Sequence, residues 1–253
     1  MARGPWQTAL ITGASTGIGR EMALMLASRG VKVLAVARTA SKLQELRELQ
    51  PLITPLVLDV SDLAAVREQL RLALTTHGAP DLAILNAAIW HPMGATNFDA
   101  AKAAEALRIN VEGVTNCLES LMPAMIARGS GRIALIGSVA GYRGLPKSPA
   151  YAPTKAALIS LAESLEADLA RHGVAISIVN PGFIETPMTS VNKFPMPFIM
   201  PAPEAAQRIL AGLEKGKYEV AFPWQLVLAL KIARLLPNWA YLWYVRRFIL
   251  PTM

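Results

Sequence analysis

The chain has 253 residues, 53% of them hydrophobic and 17% charged. That is enough to bury one large α/β core without disulfide or metal staples, and too hydrophobic for an intrinsically disordered chain. The formal net charge is +7, and its distribution excludes a nucleic-acid groove of interleaved aromatic and basic residues along the body of the chain.

In chain order, residues 1–7 hold Arg3, Gly4 and Pro5 but no apolar run, so no secretory signal segment is expected there. Strands are expected over 8–11, 32–37, 54–59, 81–86, 132–137, 174–180 and 218–222, with helices over 18–29, 41–50, 64–77, 100–127, 150–171 and 203–214. Strands alternating with helix-period stretches are the mark of βαβ units. Their nearly continuous apolar runs fit a parallel sheet covered on both faces. Right-handed crossovers then give a doubly wound, Rossmann-like α/β sheet, read as a single domain.

The first expected strand runs directly into Thr12-Gly13-Ala14-Ser15-Thr16-Gly17-Ile18-Gly19. Glycines at 13, 17 and 19 allow a tight turn and a close approach to a pyrophosphate, which the amides and positive dipole end of the following helix would face. The spacing differs from the common G-x-G-x-x-G, and by itself such a loop also reads as a structural turn. After the second strand stand Ala37, Arg38 and Thr39, without the acid that usually holds the ribose 2′-hydroxyl of NAD. An arginine there can pair with a 2′-phosphate, so NADP(H) is favoured over NAD(H); the plainer reading of Arg38 is a solvated surface residue.

The longest stretch free of Asp, Glu, Lys and Arg covers 82–98, is broken by Asn86, His91 and Pro92, and is too short to span a membrane. Cys117, the only cysteine, reads as a small buried hydrophobe, and His77, His91 and His172 lack metal-ligand spacing, so no metal is expected. A reducing cytoplasm is the compartment these features suggest. Ser138 follows the fifth strand, at the end where parallel sheets present ligands. In Tyr151-Ala152-Pro153-Thr154-Lys155 the i, i+4 spacing puts Tyr151 and Lys155 on one helix face, and Pro153 is tolerated in the first turn. A nearby ammonium is expected to favour the phenolate and tune Tyr151 for acid–base work.

These pieces together resemble the short-chain dehydrogenases/reductases. The resemblance covers roughly 8–222, through Thr12-Gly13 with Gly17-Ile18-Gly19, Asn86-Ala87, Asn110, Ser138, Tyr151 with Lys155, and Pro181-Gly182 with Thr186. It implies a seven-stranded sheet of order 3-2-1-4-5-6-7 and a homodimer or homotetramer. It further implies that Tyr151 is the general acid or base, that Ser138 binds the substrate oxygen, and that Lys155 holds the nicotinamide ribose. Asn110 would hold a water next to Lys155, while Ser15, Thr16 and Ile18 would line the pyrophosphate. Asp59 and Val60 would contact adenine, Asn86 would line the cofactor, and Ile184 and Thr186 would meet the nicotinamide carboxamide. Two departures stand out: Leu85-Asn86-Ala87-Ala88 replaces the family's usual Asn-Asn-Ala-Gly, and Thr16 occupies a position often basic in NADP users.

Beyond Pro181-Gly182 the sequence carries Phe183, Ile184, Met188, Val191, Phe194, Met196, Phe198, Ile199 and Met200, with prolines that prevent one long helix. In the family this segment is the substrate lid. Its apolar content suits a small lipid-, isoprenoid- or steroid-like ketone or alcohol, or else packs on the tail or on another subunit. Trp90, His91 and Met93, just after the fourth strand, are further candidates to line the pocket, His91 having the plainer reading of an ordinary loop histidine. The tail, 223–253, is an extension of the 1–222 body and holds Lys231, Arg234, Arg246 and Arg247 with no acid. Helices over 224–236 and 238–250 around Pro237 fit a peripheral contact at the inner membrane surface, a pocket cover or a subunit contact, and the residues leave these open. The leading reading is an oxidoreductase; the rival is a catalytically silent NADP(H)-binding sensor or a membrane-associated scaffold.

Overall fold

The computed structural model describes residues 5–192 and 194–250, and expectations that fall on 1–4, 193 and 251–253 lie outside the described residues. The strands are β1 (Thr8–Thr12), β2 (Lys32–Ala37), β3 (Ile53–Val57), β4 (Leu82–Leu85), β5 (Gly131–Ile136), β6 (Val174–Pro181), β7 (Ile184–Glu185), β8 (Met200–Pro201) and β9 (Glu219–Phe222). Seven of them form one parallel sheet in the order β3-β2-β1-β4-β5-β6-β9. This is the expected order; the last strand is ninth in the chain because the short β7 and β8 intervene and pair with each other.

The helices are α1 (Gly17–Ser28), α2 (Ala40–Leu49), α3 (Leu63–His77), α4 (Ala100–Leu107), α5 (Gly113–Arg128), α6 (Ala152–Arg171), α7 (Ala202–Glu214), α8 (Trp224–Leu235) and α9 (Asn238–Tyr244). They cover both faces of the sheet. In β4, Leu82 and Ile84 join the core cluster that holds Met22, Leu26, Leu43, Ile209 and Leu210 of α1, α2 and α7. Ala83 and Leu85 join the opposite cluster with Leu70, Leu118, Leu121 and Leu158 of α3, α5 and α6. Successive side chains point to opposite faces and both faces are dry, which is why the strand runs carry no polar alternation.

Several expected boundaries move. The helix expected over 100–127 is α4 and α5 joined by a π turn, Arg108–Glu112, a widening that hydrophobic periodicity does not register. The helix expected from residue 150 starts at Ala152, with Tyr151 at its N-cap. The third and fourth strands are shorter than expected, because the chain leaves the sheet at Val57 and Leu85 to form the rim of the cleft. The second tail helix stops at Tyr244 and continues as a π turn, Val245–Ile249.

Candidate active site

The carboxyl ends of β1, β2, β4, β5 and β6 open into one cleft, and the turns that leave those strands line it. At its floor Gly13 adopts φ +66°, a left-handed conformation that favours glycine. A Cβ on Gly19 would lie 2.4 Å from the Gly13 carbonyl oxygen and 2.6 Å from Asn86 Nδ2, so the first turn of α1 can sit on the loop only without one. Ser15, Thr16, Gly17 and Ile18 line the cleft at the N-terminus of α1, where unpaired amides and the helix dipole attract an anion.

The β1 loop is tied to the end of β4. The backbone N–H groups of Asn86 and Ala87 donate to Thr12 Oγ1 at 2.9 and 3.1 Å, and Asn86 Nδ2 donates to the Thr12 and Gly13 carbonyls at 3.0 and 3.3 Å. Asn86 thus lines the cleft and also pins the loop it borders. The sequence reading had Thr12 as the first residue of the glycine motif but gave its side chain no role.

At the other rim Arg38 and Asp59 face each other, with Arg38 Nη1 3.7 Å from Asp59 Oδ2 and both side chains exposed. Burial pushes the Asp59 carboxyl up, but hydrogen bonds from the Ser61 N–H and hydroxyl and the charge of Arg38 outweigh it, so it titrates below its ordinary value. Val60 lines the cleft beside them.

Ser138, Tyr151 and Lys155 converge at the far end of the same cleft. The Ser138 hydroxyl accepts from the Ala140 N–H at 3.1 Å and donates to the Pro181 carbonyl at 3.4 Å, while the Ser138 N–H donates to Asn180 Oδ1 at 3.1 Å. Lys155 is 2% exposed, and its Nζ donates to the Ile136 carbonyl at 2.8 Å. Burial pulls the Lys155 amine down to about 7. Burial also pushes the Tyr151 phenol up to about 12, and its interaction with Ser138 only partly opposes this. The lowering expected from a neighbouring ammonium is therefore not what the protein's own groups produce. Lys155 Nζ lies 5.3 Å from the Tyr151 ring centroid, and desolvation penalises both charged forms.

Two sequence candidates stand behind the lining. Gly19 packs under the loop. Asn110, fully buried in the π turn, accepts from the Ile89 N–H at 2.8 Å and donates to the Ile89 carbonyl and Thr154 Oγ1. Thr154 Oγ1 in turn donates to the Tyr151 carbonyl at 2.7 Å, so Asn110 links the segment after β4 to the start of α6. Asn180 was missed by sequence reasoning: it is fully buried, holds the Ser138 N–H and donates to Glu219 Oε1 at 3.0 Å. A polar residue just before Pro181-Gly182, in an apolar strand, was the available signal.

Ile89, Ile184, Thr186, Met188 and Thr189 also line the cleft. The Trp90 ring meets Tyr151 edge-on at 5.2 Å, and its Nε1 donates to Asn192 Oδ1 at 2.9 Å, which fastens the segment after β4 to the one between β7 and β8. His91 pairs with Glu105 at 2.9 Å and does not line the cleft. Val191, Phe198 and Ile199 of the segment expected to form a lid are exposed, so part of its apolar surface faces solvent. Cys117 is buried beneath the sheet, its thiol pushed up to about 12 by desolvation.

A family model described as short chain dehydrogenase matches residues 7–194. An uncharacterized oxidoreductase of Myxococcus xanthus is 38% identical, covering 94% of this chain and 96% of the relative. The 3-oxoacyl-acyl-carrier-protein reductase FabG of Escherichia coli is 35% identical over 182 residues, 72% of this chain and 75% of the relative. In fold, a short-chain dehydrogenase from Streptomyces avermitilis superimposes with a TM-score of 0.82 at 24% identity, covering 98% of this chain and 99% of that one.

Proposed function

The chain belongs to the short-chain dehydrogenase family of NAD(P)-dependent oxidoreductases, and on that premise we propose that it moves hydride between NADP(H) and a carbonyl or secondary alcohol carbon of an apolar substrate. The observation that carries this reading is the convergence of Ser138, Tyr151 and Lys155 at one end of a cleft whose other end holds the glycine loop and Arg38. The bound dinucleotide supplies or accepts the hydride. The Gly13 and Gly19 cradle, too tight for a Cβ, and the open N-terminus of α1 suit its pyrophosphate, held by Ser15, Thr16, Gly17 and Ile18.

In this reading Asp59 and Val60 bound the adenine, Asn86 lines the middle of the dinucleotide, and Ile184 and Thr186 meet the carboxamide. Lys155 holds the nicotinamide ribose. Ser138 donates its hydroxyl proton in a hydrogen bond to the substrate oxygen, stabilising the charge that develops there. Tyr151, protonated throughout the neutral range with its phenol near 12, delivers the proton that completes a reduction. Asn110 positions the Tyr151 end of α6 through Thr154. Residues 1–222 form the nucleotide-binding catalytic body and 223–253 an extension of the same unit, in a homodimer or homotetramer. A silent NADP(H)-binding sensor gains no support from so complete a set of reacting groups.

The 2′-phosphate preference rests on Arg38. Arg38→Asp is expected to shift the ratio of NADPH to NADH affinity by about 10–100-fold toward NADH, the worth of a lost charge-assisted contact. An unchanged ratio in a fluorescence titration would remove Arg38 from the account.

The apolar substrate rests on Ile89, Met188 and the neighbouring Trp90, and on the reductase relative, whose name specifies a 3-oxoacyl group. Assayed against ketones of graded chain length, kcat/KM with NADPH is expected to rise with length, by roughly three- to fourfold per buried methylene at about 0.8 kcal/mol each. A flat or falling series contradicts an apolar pocket.

A further inference from the structure

The tail settles onto the body by one face and leaves the other bare. In α8, Leu230 is buried in the core, Leu226 and Val227 pack against it, and Lys231 pairs with Glu219. In α9, Tyr241 is 5% exposed and donates to the Gly144 carbonyl, with the Arg143 guanidinium 4.5 Å from its ring centroid and 2.7 Å from Asn238 Oδ1. These anchors fix the tail beside the loop that follows Ser138. None of the described tail residues lines the cleft, although Pro223 and Leu226 press on Gly182, which does. The described part of the tail buttresses the cleft wall and does not line its mouth.

The outward side has the wrong polarity for water. Trp224, Leu228, Ile232 and Leu235, spaced i, i+4, i+8 and i+11 on α8, are 70, 51, 52 and 85% exposed. Trp239 and Trp243 of α9 are 76 and 61% exposed, and Phe248 follows at 48%. Of the 21 exposed large hydrophobics among the described residues, 11 lie in 224–250, so this is a concentrated patch, unlike the single exposed apolar residues common on any surface. Arg234, Arg246 and Arg247 are exposed along the same stretch, and 223–253 contains no acid.

We propose that this face of α8 and α9 docks on an anionic lipid surface, lying in the interface with its tryptophans and leucines at headgroup depth and its arginines against the lipid phosphates. Charge selects the occupant. A second copy docked by the same face would bring two all-basic patches together with no acid to answer them, whereas an anionic bilayer answers both the charge and the apolar area. Trp and Tyr beside Arg is also the composition that settles at a membrane–water boundary. The contact is peripheral: no described helix is long and apolar enough to cross a membrane. It rests on the tail alone and is independent of the chemistry in the cleft.

The test is co-sedimentation of the whole protein, without nucleotide, with vesicles of phosphatidylcholine alone or mixed with phosphatidylglycerol. Binding is expected to the mixed vesicles only, to weaken on the order of 10²-fold in the Arg234→Gln, Arg246→Gln, Arg247→Gln variant, and to vanish in the Trp224→Ser, Trp239→Ser, Trp243→Ser variant. Because all six of these side chains are exposed, both variants should keep the wild-type thermal transition. Absence of binding to mixed vesicles, or binding untouched by both variants, would overturn the proposal. So would sedimentation showing a dimer that only the tryptophan variant dissolves, since a second copy would then occupy the face.

Discussion

Tyr151→Phe is expected to lower kcat by about 10²–10⁴-fold, the usual worth of a positioned general acid, while the affinity for NADPH stays within about threefold. The separation follows from what the side chain touches. The ring is held edge-on by Trp90 and backed by α6, and phenylalanine keeps both contacts. Only the hydroxyl is lost, and with it a proton donor beside Ser138 that stays protonated through the neutral range. Steady-state rates and a fluorescence titration on the same preparation check both halves. Turnover near wild type would remove the acid role from Tyr151, and loss of nucleotide binding would mean that the ring shapes the cofactor site.

Lys155→Met is expected to raise stability at neutral pH while abolishing activity, with a gain that fades as pH rises. The folded amine titrates at about 7 against an ordinary value of 10.5. Below pH ~7 both folded and unfolded chains carry the charge, and the folded state bears the full cost of burying it. Between about 7 and 10.5 the folded protein releases the proton while the unfolded chain keeps it. The unfolded state then binds more protons, so wild-type stability rises with pH until the cost is gone. Methionine has no charge to bury. Each displaced pKa unit is worth about 1.4 kcal/mol, so the advantage of the variant should be on the order of 3–5 kcal/mol below pH 7 and near zero above 10.5, less a constant for the lost bond to the Ile136 carbonyl. Paired thermal melts across that range check it; a pH-independent difference would mean that the amine stays charged or solvated in the fold.

Much of this was legible because the sheet imposes its own grammar. Strands dry on both faces must be apolar throughout, so 32–37 and 132–137 announced themselves, and residues at their ends had to be rim residues. Gly13, Gly17 and Gly19 were legible because no other residue tolerates that turn and that packing. The π turn at Arg108–Glu112 was not, since periodicity is blind to one extra residue in a helical turn. The roles of Thr12, Asn180 and Glu219 were hidden because they are long-range: Asn180 reaches Ser138 across 42 residues and Glu219 across 39. The tail's composition was plain, but which face it buried depended on the contacts of Leu230 and Tyr241 with distant parts of the fold.

The most direct measurement is a titration of the purified protein with NADPH and NADH followed by nucleotide fluorescence. Saturable one-to-one binding, tighter for NADPH, is expected from a cleft built around the Gly13 loop and Arg38. Binding of neither nucleotide at millimolar concentration would contradict the assignment of that cleft to a dinucleotide, and the proposed roles of Ser138, Tyr151 and Lys155 would fall with it.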